Sequence, residues 1–78
     1  MDFEELKEYI IEGRDVEFEY EGKEYAITNS ESGFLFSEKG VEDNQQIYEK
    51  AADLISKVLI KGNLIQKICN KFENIEIY

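Results

Sequence analysis

The sequence predicts an α+β fold in a single domain spanning residues 1–78. Its expected parts are an N-terminal helix, an antiparallel meander of three to four strands, two C-terminal helices and a final short strand joining the sheet. Three observations carry this reading. Phe3, Leu6 and Ile10 recur at helical spacing, as do Ala51, Leu54, Ile55 and Val58. Between them, Asp15-Val16-Glu17-Phe18-Glu19-Tyr20-Glu21 alternates carboxylates with large apolar residues, the pattern of a strand with one greasy and one wet face. With 42% hydrophobic and 13% aromatic residues, the 78-residue chain has enough apolar surface for one core despite a net charge of −9.

In order along the chain, Asp2 is the expected N-cap of the first helix, with Glu5 as its reciprocal partner in a capping box, and Gly13 ends the helix. Glu21-Gly22 is a two-residue hairpin loop. It sets Tyr20 opposite Lys23, Phe18 opposite Tyr25 and Val16 opposite Ile27, which gathers the apolar residues on one face. A slip of one residue would mix the faces, so the register is well specified. The same register sets Glu19 opposite Glu24, with Glu17 and Glu21 on their face, and like charges so placed repel.

Asn29–Gly33 is a turn cluster and Phe34-Leu35-Phe36 a third strand, followed by a loop at Lys39–Asp43. Asn44–Tyr48 fits either an edge strand or the start of the next helix. Lys61-Gly62-Asn63 breaks that helix, and Asn63 is the expected cap of a last helix carrying Leu64, Ile65, Ile68 and Phe72 inward. Glu73–Tyr78 alternates again as the final strand. The expected core takes Phe3, Leu6, Ile10, Val16, Phe18, Tyr25, Ile27, Phe34, Leu54, Ile55, Ile68 and Phe72.

The run from Gly13 to Ile27, with its G-R-x-x-E-F-x-Y-x-G-K-x-Y spacing, resembles a hairpin found in small acidic proteins of Gram-positive bacteria and their prophages. The Ile60-Lys61-Gly62-Asn63-Leu64 stretch is similar to an I-x-G-x-x-L segment in the same proteins. Where that family often has a tryptophan, this chain ends its last helix in Cys69-Asn70-Lys71-Phe72. The shared positions are turn glycines, strand aromatics and helix anchors, so the resemblance implies a fold and a setting but carries over no functional residue. It also favours a strand at Asn44–Tyr48.

Charge and composition narrow the function. Residues 1–24 hold ten acids against three bases, whereas the remaining residues hold eight against six. Arg14 is the only arginine, so direct binding of nucleic acid or of an anionic membrane is not expected. No stretch approaches the roughly 20 apolar residues of a membrane span. Cys69 is the single cysteine, which fits a reducing cytoplasm better than a disulfide-built secreted domain.

The chain has no histidine, which removes the commonest general base and metal ligand. Cys69 therefore reads as a core residue, and Ser30, Ser32, Ser37 and Ser56 as turn, strand or helix-surface residues. No calcium-loop or phosphate-loop spacing occurs. The expectation is a non-enzymatic module without metal or cofactor. Its candidate partner-binding residues are Glu17, Glu19, Glu21 and Glu24, whose strand-spaced charges resemble a nucleic-acid backbone and suit a basic protein surface. The alternative is a scaffold domain, monomeric or homodimeric, whose acidic face serves only solvation.

Overall fold

A computed structural model of the chain describes the backbone of residues 1–78 and every side chain except those of 42–44. The elements are α1 (Phe3–Ile11), β1 (Val16–Tyr20), β2 (Lys23–Ser30), β3 (Gly33–Glu38), β4 (Val41–Tyr48), α2 (Ala51–Lys57), β5 (Leu59–Ile60), β6 (Asn63–Leu64), α3 (Ile65–Ile68) and β7 (Glu73–Ile77), with a 3-10 turn at Cys69–Lys71 before β7. Five strands form an antiparallel sheet in the order β4-β3-β2-β1-β7, while β5 and β6 make a separate two-stranded ribbon. The α+β architecture is as the sequence predicts. The final strand enters the sheet beside β1, so β4 and β7 are the two edges.

Local chemistry sets these boundaries. The Asp2 carboxylate accepts from the Glu4 amide at 3.2 Å and caps α1. The reciprocal bond expected of Glu5 does not form, and that side chain stays exposed. At the other end, the amide of Gly13 donates to the Ile10 carbonyl and that of Arg14 to the Tyr9 carbonyl. With Gly13 at φ 83°, this pair of bonds is a Schellman termination. The β1–β2 turn places Glu21 at φ 50° and Gly22 at φ 81°. Positive φ at both central residues makes it type I′, whose twist matches that of the strands it joins. The resulting register pairs Val16 with Ile27, Phe18 with Tyr25, Glu19 with Glu24 and Tyr20 with Lys23, as the sequence predicts.

Three expectations need correction. The loop expected at Lys39–Asp43 shrinks to Lys39-Gly40, because β4 begins at Val41 and contains the ambiguous Asn44–Tyr48 segment. The last helix does not start at Asn63. Lys61 (φ 52°) and Gly62 (φ 82°) form a second turn with the same signs of φ. That turn pairs Ile60 with Asn63 and Leu59 with Leu64, leaving only Ile65–Ile68 for α3. Finally, Phe3 and Phe34 only border the core. Tyr20, Phe36 and Ile60 join the core, as do Val58, Ile65 and Cys69, which the sequence pattern already sets inward, and Ala26 is buried on the sheet's other face.

The core lies between the sheet's inner face and the helices. Its spine is a row of rings crossing the sheet. Phe72 stacks on Phe18 at 3.9 Å between centroids, Phe18 on Tyr25 at 5.7 Å and Tyr25 on Phe36 at 5.7 Å. Leu6 and Ile10 of α1, Leu54 and Ile55 of α2, and Ile65 and Ile68 of α3 belong to the same cluster. All three helices therefore sit on one side, and no helix covers the other. Among the described residues no helix is long and apolar enough to cross a membrane.

Phe18 is 2% exposed at the centre of the ring row, so Phe18→Ala should cost about 3–5 kcal/mol. Ile11, on the outward side of α1 and 64% exposed, should tolerate alanine within about 0.5 kcal/mol. Urea unfolding of the two variants checks this contrast, and equal midpoints would contradict the described core.

Candidate functional site

Strand alternation sends every second residue of the sheet to the uncovered face. On β1 these are Glu17 and Glu19, and on β2 Glu24, Ala26 and Thr28, opposite to the buried Phe18 and Tyr25. The terminal strand adds more acid. Glu76 pairs with Glu17 and Glu73 with Glu19, with one extra residue inserted on β7 between those pairs. Asn74, at φ 50°, lies in that bulge. Without the insertion Glu73 would fall on the Ile75 side. With it, Glu73, Glu19 and Glu24 stand abreast on three adjacent strands, at steps of about 5 Å.

The four residues expected to share this face behave differently. Glu19 and Glu24 are neighbours, and among the described residues neither has a cation within 4.0 Å. Glu17 lies on the face but is ion-paired with Lys39 from the β3–β4 turn. The backbone amide of Lys39 donates to the Glu24 carbonyl at 2.9 Å, which anchors the lysine there. Glu21 leaves the face altogether. The positive φ of the turn swings its carboxylate to Lys61, 3.2 Å away on the β5–β6 ribbon. Glu73 and Glu76 take its place, though the sequence reading left them out. Their alternation was visible, but their partner strand was not.

Beyond the acids the same face turns apolar. Leu35 pairs with Thr28 on one side and Ile47 on the other, and Ile47 is 58% exposed. At the opposite edge, the Tyr78 hydroxyl donates to the Glu76 carboxylate. Among the described residues, no three carboxylate or thiol groups approach closely enough to hold a metal ion.

No family model matches the chain, and no curated protein or solved structure is significantly similar to it.

Two consequences of this geometry are measurable. Glu24 stands opposite Glu19 and neither forms an ion pair among the described residues, so Glu24→Gln should raise stability by about 0.2–1 kcal/mol, less whatever attraction to the nearby Lys39 it gives up, an increase that added salt diminishes. A lower urea midpoint for the variant would contradict the repulsion.

The second concerns alkaline pH. Four groups hold their protons above their ordinary range. Lys39 does so mainly through its bond to Glu17, Tyr78 mainly through its bond to Glu76, and Tyr25 and Cys69 mainly through burial. With each pKa raised in the folded state, the folded protein binds more protons than the unfolded chain as pH rises. Stability from these groups is complete below their unfolded values and falls as pH climbs through the folded ones. Thermal unfolding between about pH 8 and pH 11 should show a falling midpoint, and a rising one would contradict these placements.

Proposed function

We propose that the protein is a non-enzymatic interaction module that docks on a basic protein surface through its uncovered sheet face. The observation that carries this reading is the cross-strand row Glu73–Glu19–Glu24, three carboxylates abreast, none with a cation within 4.0 Å among the described residues. Such a row is held at a stability cost and projects a concentrated negative field that steers a cationic partner. Surfaces built to bind nucleic acid are the natural complement, because they already present lysine and arginine at the pitch of a charged backbone. The resemblance of the hairpin to prophage proteins supports an accessory or inhibitory role in that setting. Glu17 and Glu76 extend the surface, while Glu21 is redirected toward Lys61 and contributes little to it.

A homodimeric scaffold is the second reading, favoured by the exposed Ile47 beside Leu35 at the β4 end of the same face. Its contact would be apolar and insensitive to salt.

Capture from an extract of the source cells tests the first reading. The immobilised protein should retain its partner at about 0.05 M salt and release it by about 0.5 M, and a Glu19→Lys/Glu24→Lys variant should retain nothing specific. Undiminished capture by that variant would sink the acidic-face reading. Sedimentation at the same two salt concentrations tests the dimer, which should persist at both.

A further inference from the structure

The ion pairs of the described residues are spread unevenly over the molecule. Lys7 with Glu4 and Lys57 with Asp53 are neighbours along a helix. Lys23 pairs with Glu38 on the inner side of the sheet, and Lys61 ties the ribbon to Glu21. Among the described residues, the pair of Lys39 with Glu17 is the one on the uncovered face. It is also a pair with a long reach. Lys39 follows β3 and Glu17 lies on β1, so the lysine side chain crosses β2 to meet it. The row it crosses is made of small side chains, since Glu17 pairs with Ala26 and Ala26 with Ser37. Its backbone is fixed where the crossing begins, by the bond from the Lys39 amide to the Glu24 carbonyl.

A cation in this place offsets the charge that a basic partner meets. Lys39 lines both concavities on the acidic side of the sheet. The smaller, of about 140 Å³, is otherwise walled by Glu17, Glu19, Glu24 and Glu76 beside the Asn74 bulge. The bond to Glu17 foremost, and the nearby Glu24 carboxylate in smaller measure, hold the Lys39 proton above its ordinary range. Yet the pair is open to water. The Lys39 side chain is 42% exposed and that of Glu17 29%, and a pair so placed is broken at little cost.

We infer that Lys39 is an internal competitor for the docking surface: its ammonium occupies the seat at Glu17 that a lysine or arginine of the basic partner takes on binding. The inference rests on the docking reading and adds an order of events to it. Glu73, Glu19 and Glu24 steer the approach, and Glu17 joins the contact once Lys39 has swung out into water. That exchange replaces one ion pair by another, so Glu17 adds little net affinity while Lys39 is present. Removing the lysine turns Glu17 from an engaged group into an available one.

The test is a titration with a labelled hexalysine peptide, followed by fluorescence anisotropy at about 0.1 M salt. The protein should bind it saturably, and the Glu19→Lys/Glu24→Lys variant should not. Lys39→Gln should tighten binding by about two- to fivefold. Lys67→Gln makes the same change of charge at an exposed residue of α3, on the covered side, and should alter binding by less than about 1.5-fold. The gain from Lys39→Gln should shrink when Glu17 is already glutamine, because the two residues act as a pair. Both substitutions leave the backbone bond of Lys39 in place, and unfolding midpoints report that each variant is folded. Absence of saturable binding, or binding that Glu19→Lys/Glu24→Lys leaves intact, sinks the docking reading and the competitor with it. Binding lost in that variant but unchanged by Lys39→Gln overturns the competitor alone, as do equal gains from the two lysine variants or an undiminished gain without Glu17.

Discussion

The stacking of Phe72 on Phe18 is the contact on which the rest of this structure depends. It joins residues far apart in sequence at 3.9 Å between ring centroids, and it fixes where the chain re-enters the sheet. Phe72 immediately precedes β7. Once its ring lies against the β1 aromatic, β7 is placed beside β1 and not beside β4. The far end of the strand is tied as well. The Tyr78 amide donates to the Asp15 carbonyl at 2.9 Å, and Arg14 Nε donates to the Tyr78 carbonyl at 3.1 Å. Between these anchors the Asn74 bulge keeps Ile75 and Ile77 packed against the core and turns Glu73 outward.

The aromatic row and the carboxylate row are two products of one register. In an antiparallel pair, residues directly opposite share a face. The register that stacks Phe18 on Tyr25 therefore also sets Glu19 against Glu24. No shift of register relieves the acids without also breaking the ring stack, because a one-residue slip exchanges the faces. The repulsion is thus locked in by packing on the other side of the sheet, where each large buried side chain contributes roughly 1.5–3 kcal/mol. That outweighs a repulsion of less than about 1 kcal/mol per pair. Among the described residues, relief comes from the turns. Lys39 meets Glu17 from the β3–β4 turn, and Lys61 draws Glu21 away.

What the sequence disclosed follows the range of the contacts involved. The pairing of Glu19 with Glu24 was legible because a two-residue loop sets it locally, with Gly22 marking the turn. Glu21 was misplaced because alternation was extended one residue too far, into a turn whose positive φ rotates the side chain off the face. Glu73 and Glu76 stayed out of view because their neighbour depends on Phe72 finding Phe18, a long-range event with no local signature. The bulge at Asn74 compounds this, since an inserted residue breaks the alternation from which a face is read. In Lys61-Gly62 the signal was present. It repeats the residue-glycine pattern of Glu21-Gly22, but helical spacing at Ile65 and Ile68 suggested a longer helix than forms.

That second turn sets how the inner face is covered. A helix starting at Asn63 would have carried Leu64 and Ile65 straight down onto the sheet. The ribbon instead uses Leu59–Leu64 to reverse direction, burying Ile60 at 2% exposure while Leu59 stays 53% exposed. A two-stranded ribbon has little stability of its own, so its position rests on Ile60, on Ile65 just beyond it, and on the Lys61 contact to Glu21. Only the last of these lies at the tip, and it is an exposed ion pair, the weakest kind of anchor. The ribbon is therefore firm where it joins α3 and loosely held where it meets the β1–β2 turn.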